Sequence, residues 1–135
     1  MAKRAFYETV GLQDENLFMY NDEIDMFYRS SKINWKEAVT KTAVSWHQHI
    51  SYPSSNDLAT KMAFLNGRNR VYIIKKHQGA RGVLMFIYMF LLETLFFIRD
   101  FSQAKSRKAY FSKIRGFAAG FRGDMDNSFL QQGPS

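Results

Sequence analysis

The chain has no cysteine, which excludes disulfides, thiolate metal sites and a cysteine nucleophile. It has no GxSxG, Walker A or GxGxxG sequence, so no serine elbow or phosphate-cradling glycine loop is visible. HExxH is missing too, and the histidines are only three: His47, His49 and His77. The first residues, MAKRAFYETVG, lack the long apolar run of a secretory signal. Two prolines and eight glycines say little about compartment, and no internal repeat is found.

What is present is apolar and basic. At 135 residues, 46% of them hydrophobic and 16% aromatic, the chain is large enough for one domain with a real core and is not a disordered sequence. The net charge of +7 is unevenly spread. Residues 1–25 hold Glu8, Asp14, Glu15, Asp22, Glu23 and Asp25, half of the twelve acids. From Lys61 to Arg122 there are thirteen Lys or Arg against two acids, Glu93 and Asp100. An acidic head and a basic remainder suggest a polar site at one end and an anionic partner at the other. Phosphate groups, anionic lipid and nucleic acid all fit that charge, nucleic acid least.

Hydrophobic spacing predicts mostly helix. Lys3–Val10 forms a short amphipathic helix with Ala5, Phe6 and Val10 inward, closed by Gly11 as C-cap. Asp22–Ser30 follows, with Ile24, Phe27 and Tyr28 as its buried stripe. Trp35–Val39 and Ala43–Trp46 read as two short strands, although Asn34 and Glu37 also have capping-box spacing for a helix. Ser51–Asn56, with Pro53, is a loop. From Asp57 to about Lys76 a helix carries Leu58, Met62, Leu65, Asn69, Tyr72 and Lys76 on one face, with Arg68 and Arg70 flanking at what reads as a solvated edge.

Val83–Ile98, between Arg81 and Arg99, is the most apolar segment. As a helix it spans roughly 24 Å at 1.5 Å per residue, against about 30 Å for a bilayer core. Glu93 would cost an isolated spanning helix about 2.5–3.5 kcal/mol. Burial against protein, or a place in a membrane interface, fits better. Gln103–Phe121 is a basic helix with Tyr110, Ile114, Phe117, Ala118 and Phe121 on one face, the form of a membrane-surface anchor or an ordinary surface helix of a basic protein. The tail from Asp124 is expected to fray.

The unusual stretch is Leu17–Arg29, LFMYNDEIDMFYR, which sets Asp22, Glu23 and Asp25 inside an apolar run. Acids in a helix first turn complement the backbone dipole, which is one reading of them. Another is chemical, because a carboxylate pair supports proton abstraction when burial and neighbouring charge raise one member's pKa. His47 and His49, at the end of the second expected strand, would point the same way, as a two-histidine metal site uses; without further ligands they read more readily as structural.

The order of features resembles the C-terminal part of family-2 glycosyltransferases, the GT-A-fold enzymes that include bacterial rhamnosyl- and galactofuranosyltransferases. Arg4, Phe6, Gly11, Asp14, Glu15, Phe18 and Tyr20 match the family's lead-in segment, with Phe6 displaced. Asp22-Glu23-Ile24-Asp25 with Arg29 is similar to its acidic motif, and Trp46-His47 to its later apolar-histidine pair. Arg68-Asn69 with Tyr72, Lys75 and Lys76 resembles its RN segment, and Arg115–Gly123 its glycine-punctuated tail.

The resemblance implies an α+β fragment, mostly helical: the acceptor-side half of a GT-A domain with two short strands, followed by C-terminal helices. It divides the chain into 1–78, the C-terminal portion of the catalytic domain; 79–123, the apolar and basic membrane-associated helices; and 124–135, a flexible tail. It implies inverting transfer of a sugar from a nucleotide-sugar to a cell-surface polysaccharide or glycolipid, at the cytoplasmic face of the membrane. Glu23 is then the general base, Asp22 and Asp25 position the acceptor or tune Glu23, and Trp46, Arg68 and Asn69 line the substrate site. His47 helps hold a divalent metal, Mg or Mn, on the donor diphosphate. No Asp-x-Asp precedes the acidic segment, and Asp124-Met125-Asp126 lies in the tail. A truncated enzyme missing its N-terminal donor half, and inactive alone, is therefore expected. The alternative is a non-enzymatic basic helical module that binds anionic membranes or a partner protein.

Overall fold

The structure, a computed structural model, describes residues 3–36, 38, 41–42, 44, 46, 56–101 and 104–128. Five helices are found there: α1 (Arg4–Val10), α2 (Asp22–Ser31), α3 (Asn56–Gln78), α4 (Arg81–Arg99) and α5 (Ala104–Arg122). α1 stops where expected, at Gly11, whose positive φ of 88° suits glycine and whose N–H reaches back to the Tyr7 carbonyl.

No strand occurs among the described residues, so the expected α+β half-domain is corrected to an all-helical fold. The reason is visible at Trp35. Its N–H is taken by the Ser30 carbonyl, 3.1 Å away, and so closes the C-terminus of α2 instead of joining a ladder. Asn34 turns the chain there with φ 60°, and the Trp35 ring packs edge-on against Phe6 at 5.5 Å. The described residues of the second expected strand, Val44 and Trp46, are irregular and exposed.

The core is a seam between α3 and α5 built on small residues. A Cβ on Gly116 would strike the Phe64 carbonyl, one on Gly120 the Arg68 carbonyl, and one on Gly67 the Lys113 carbonyl. Backbone therefore lies directly on backbone, the close approach that small residues at four-residue spacing permit. Ser112 completes the stripe by donating to the Thr60 carbonyl at 2.7 Å. The expected aromatic stripe of α5 is thus displaced by a small-residue one: Phe117 is buried, but Ala118 and Phe121 are exposed.

α4 lies across this pair with Phe86 edge-on to Phe117 and Phe121, and Phe97 stacked on Tyr110 at 3.9 Å. Its outer face, including Val83, Leu84, Ile87, Leu91, Leu95 and Ile98, is exposed. Almost none of it is covered by protein, and by length and composition it is long and apolar enough to cross a membrane. Of the two expected settings, burial against this chain holds only for the inner face, where Phe86 and Phe97 pack on α5.

Candidate functional site

α2 buries only part of the stripe that its hydrophobic spacing predicts: Tyr28 is half-buried, its ring stacked on His77 and its hydroxyl accepting from Gln78. Ile24 and Phe27 face solvent, while Asp25 is 0% exposed. A buried carboxylate is tolerable only if paired and hydrogen-bonded, and Asp25 is paired three times. Arg29 one turn on donates to Oδ2 at 2.8 Å, and Lys76 and His77 of α3 reach Oδ1 at 2.7 Å each. Lys76 also bridges to Asp14 at 2.6 Å, and the Tyr72 hydroxyl donates to the same Asp14 oxygen at 2.7 Å. Arg29 donates in addition to the Val10 and Leu12 carbonyls, tying the end of α1 to α2.

The electrostatics of this knot are one-sided. Burial works to raise both carboxyls, but the bonds from Lys76, joined by Tyr72 at Asp14 and by His77 at Asp25, outweigh it, holding Asp14 well below the usual carboxylate range and lowering Asp25 as well. Burial likewise works to lower Lys76, and its two carboxylate partners raise it instead. Tyr72 is raised by burial and by Asp14. Asp14 and Asp25 are therefore ionised, Lys76 charged and Tyr72 neutral near neutrality.

Asp22 and Glu23 stand apart from the knot. Asp22 Oδ2 accepts a 2.9 Å bond from Gln13 at the surface. Glu23 is exposed and has no hydrogen bond or ion pair among the described residues. What aims them is the preceding corner, where Tyr20 and Asn21 both adopt φ 68°, a left-handed conformation rare for residues with side chains. Asn69 of α3 holds that corner: its amide donates to the Met19 carbonyl at 2.7 Å and the Tyr20 carbonyl at 3.1 Å.

Arg68 and Asn69 are both 0% exposed, which replaces the expected solvated edge with a buried polar pair. Arg68 reaches the other way, to the Asp126 carbonyl at 2.8 Å and Asn127 Oδ1 at 2.7 Å, and so anchors the start of the tail. Of the expected site residues, Asn69 is thus set against the backbone just before the acids, Asp25 is tied into the knot away from Asp22 and Glu23, and Arg68 points to the tail instead. Trp46 is 97% exposed and joins no contact in this group. His47 lies outside the described residues, and the metal role expected of it with it. No group of three His, Asp or Glu among the described residues is arranged to hold a metal ion, and no step is assigned to one.

Residues that the sequence reading passed over complete the picture. Asp14 and His77 belong to the knot, and Glu93, the acid inside the apolar helix, pairs with Lys113 at 2.6 Å and Arg70 at 3.3 Å. Glu93 carried its own signal: an acid in a long apolar helix implies cationic partners. The Tyr20–Asn21 corner parts two cavities. One, of about 340 Å³, is lined by Tyr20, Asn66, Glu93 and Tyr110; the other, of about 350 Å³ and more apolar, by Asn21, Arg70 and Met85. One buried polar atom in each lacks a partner: Asn66 Oδ1 in the first and Asn21 Nδ2 in the second. Comparison of the chain with protein-family models, with curated proteins and with solved structures returned no match.

Proposed function

We propose that the chain is the acceptor-activating part of a family-2 glycosyltransferase that transfers sugar, with inversion, to a cell-surface polysaccharide or glycolipid. The observation that carries this is the division of labour within one acidic motif. Asp25 is locked by Arg29, Lys76 and His77, while Asp22 and Glu23 are presented to solvent by a left-handed corner that Asn69 holds. A motif whose third acid is locked in the knot, whose first is held at the surface by Gln13 and whose second is exposed suits a general base at Glu23 with Asp22 beside it. The base takes the proton of the acceptor hydroxyl as that oxygen attacks the anomeric carbon and the nucleoside diphosphate leaves.

The sequence has no Walker A or GxGxxG motif, so the reading requires a nucleotide-sugar-binding unit acting with these helices. The exposed apolar face of α4, with Arg81 and Arg99 at its ends, supports a membrane-associated position, and the cytoplasmic face follows from the resemblance alone.

The test uses source-cell membranes from which the gene for this chain has been deleted. Restoring the wild-type chain should restore incorporation of labelled sugar from a nucleotide-sugar panel, and Glu23→Gln should reduce it by about 10²–10⁴-fold, the range for loss of a general base. Equal incorporation with wild type and Glu23→Gln removes the catalytic reading. The non-enzymatic reading, a basic helical module on anionic membranes, is favoured by the same α4 face and would then stand alone. Its own test is co-sedimentation with vesicles that contain or lack anionic lipid.

A further inference from the structure

The cavity between α3, α4 and α5 has no role in the chemistry above. Its lining includes Tyr20, from the corner that precedes the acids, and Phe96, Phe97 and Tyr110. Its volume of about 340 Å³ is at the small end of the range for small-molecule sites. Polar groups converge in it. Asn66 Oδ1 is buried with no donor among the described residues, although a buried acceptor without a partner is costly. The Glu93 carboxylate receives both Lys113 and Arg70 on Oε1. Asp100, paired with Arg99, adds a further acceptor at the rim.

The chemistry narrows the occupant. A phosphate would face two carboxylates, and a hydrocarbon would leave Asn66 Oδ1 unpaired. A neutral ligand rich in O–H donors, with an apolar ring face to lay on the aromatic wall, meets every group present. We infer that this cavity is a subsite for a pyranose ring of the acceptor, seated by Asn66 and Glu93 and stacked on the Tyr110–Phe97 wall. The inference rests on the glycosyltransferase reading, which it deepens by naming where the acceptor lies. Asn66 is a binding residue in this assignment and takes no part in bond making.

The probes are methyl glycosides of glucose, galactose and rhamnose, with inorganic phosphate and hexanol as controls. Each is added to the full chain in a non-glycosidic detergent and followed by saturation-transfer NMR. At least one glycoside should draw saturation from the aromatic wall while the controls do not. Asn66→Leu should weaken that glycoside about tenfold, the worth of one hydrogen bond, and should raise the melting temperature because it removes an unpaired acceptor. Ala63→Phe, which narrows the cavity and keeps every polar group, should also weaken it. An octyl glycoside that binds more tightly than the methyl form assigns the ring to a glycolipid acceptor, and equal binding assigns it to a free glycan.

Binding of phosphate or hexanol without any glycoside overturns the inference. So does glycoside binding untouched by both variants, or an Asn66→Leu chain that melts earlier and binds as before. Glu23→Gln separates the two claims. Glycoside binding with transfer indifferent to Glu23 keeps the subsite and removes the glycosyltransferase reading, whereas Glu23-dependent transfer with no glycoside bound does the reverse.

Discussion

Replacing Asp25 by alanine asks whether the acidic motif is held together as described. Three partners lose their bond, but unequally. Lys76 keeps Asp14, and Arg29 keeps the carbonyls of Val10 and Leu12, so neither cation is left stranded. His77 loses its 2.7 Å bond while its side chain is almost fully buried. An orphaned buried donor costs about 1–3 kcal/mol, and the two charge-assisted bonds lost with it add to that. Removing one member of a buried ion pair costs about 3–5 kcal/mol in general. Because the cations retain partners, the expected loss is near the low end, about 3 kcal/mol, or roughly 10 °C in melting temperature for a domain of this size. Glu23→Gln and Asp22→Asn, both at the surface, should stay within about 0.5 kcal/mol. Thermal melts followed by circular dichroism measure all three. An Asp25→Ala chain that melts within about 2 °C of wild type refutes the buried-knot account, and with it the separation of roles among the three acids.

The knot also fixes a pH profile. Asp14 and Asp25 are held below their ordinary 3.8, so their contribution is present above about pH 4 and is lost as pH falls through the lower folded values. Lys76 is held above 10.5 and Tyr72 above 10.0, so theirs is complete below about pH 10 and is lost as pH rises beyond. Denaturant titrations across pH should show a plateau between those limits, and Lys76→Met should flatten both limbs. Gly116→Ala should destabilise by about 1–3 kcal/mol or more, because its Cβ meets the Phe64 backbone carbonyl, which cannot swing aside; an unchanged melt would mean the seam is looser than described. Asn69→Ala should release the Met19 and Tyr20 carbonyls and speed amide exchange at residues 20–23 before any change in α5.

Local rules carried the helices. Gly11 ends α1, and the apolar segment between Arg81 and Arg99 is α4, because capping and periodicity are written in neighbouring residues. The face of α3 was also legible: Leu65, Asn69, Tyr72 and Lys76 do share a stripe, and the stripe touches the acidic segment. What its spacing did not disclose was that Arg68 and Asn69 are buried. Their partners lie some fifty residues away, at Met19 and Tyr20 in one direction and Asp126 and Asn127 in the other. α2 shows the same limit from the opposite side. Ile24, Phe27 and Tyr28 make a convincing apolar stripe, but with Asp25 held by Lys76 and His77 only Tyr28 of the three packs on α3, and Ile24 and Phe27 are exposed. The strand reading of Trp35 failed because a single hydrogen bond to Ser30 outweighed β propensity. Glycines 116 and 120 looked like punctuation and proved to be contact surface.

Asn69, Tyr72, Lys76 and His77, which grip the acidic segment, all come from one helix made long after that segment. At 5–20 residues per second of synthesis, the roughly fifty residues between Asp25 and His77 take several seconds to follow. During that interval Asp25 has only Arg29 of its three partners, Asp14 has neither Lys76 nor Tyr72, and the left-handed corner at Tyr20 has no amide to hold it. The acidic motif therefore acquires its shape late and from outside, as an imprint of α3.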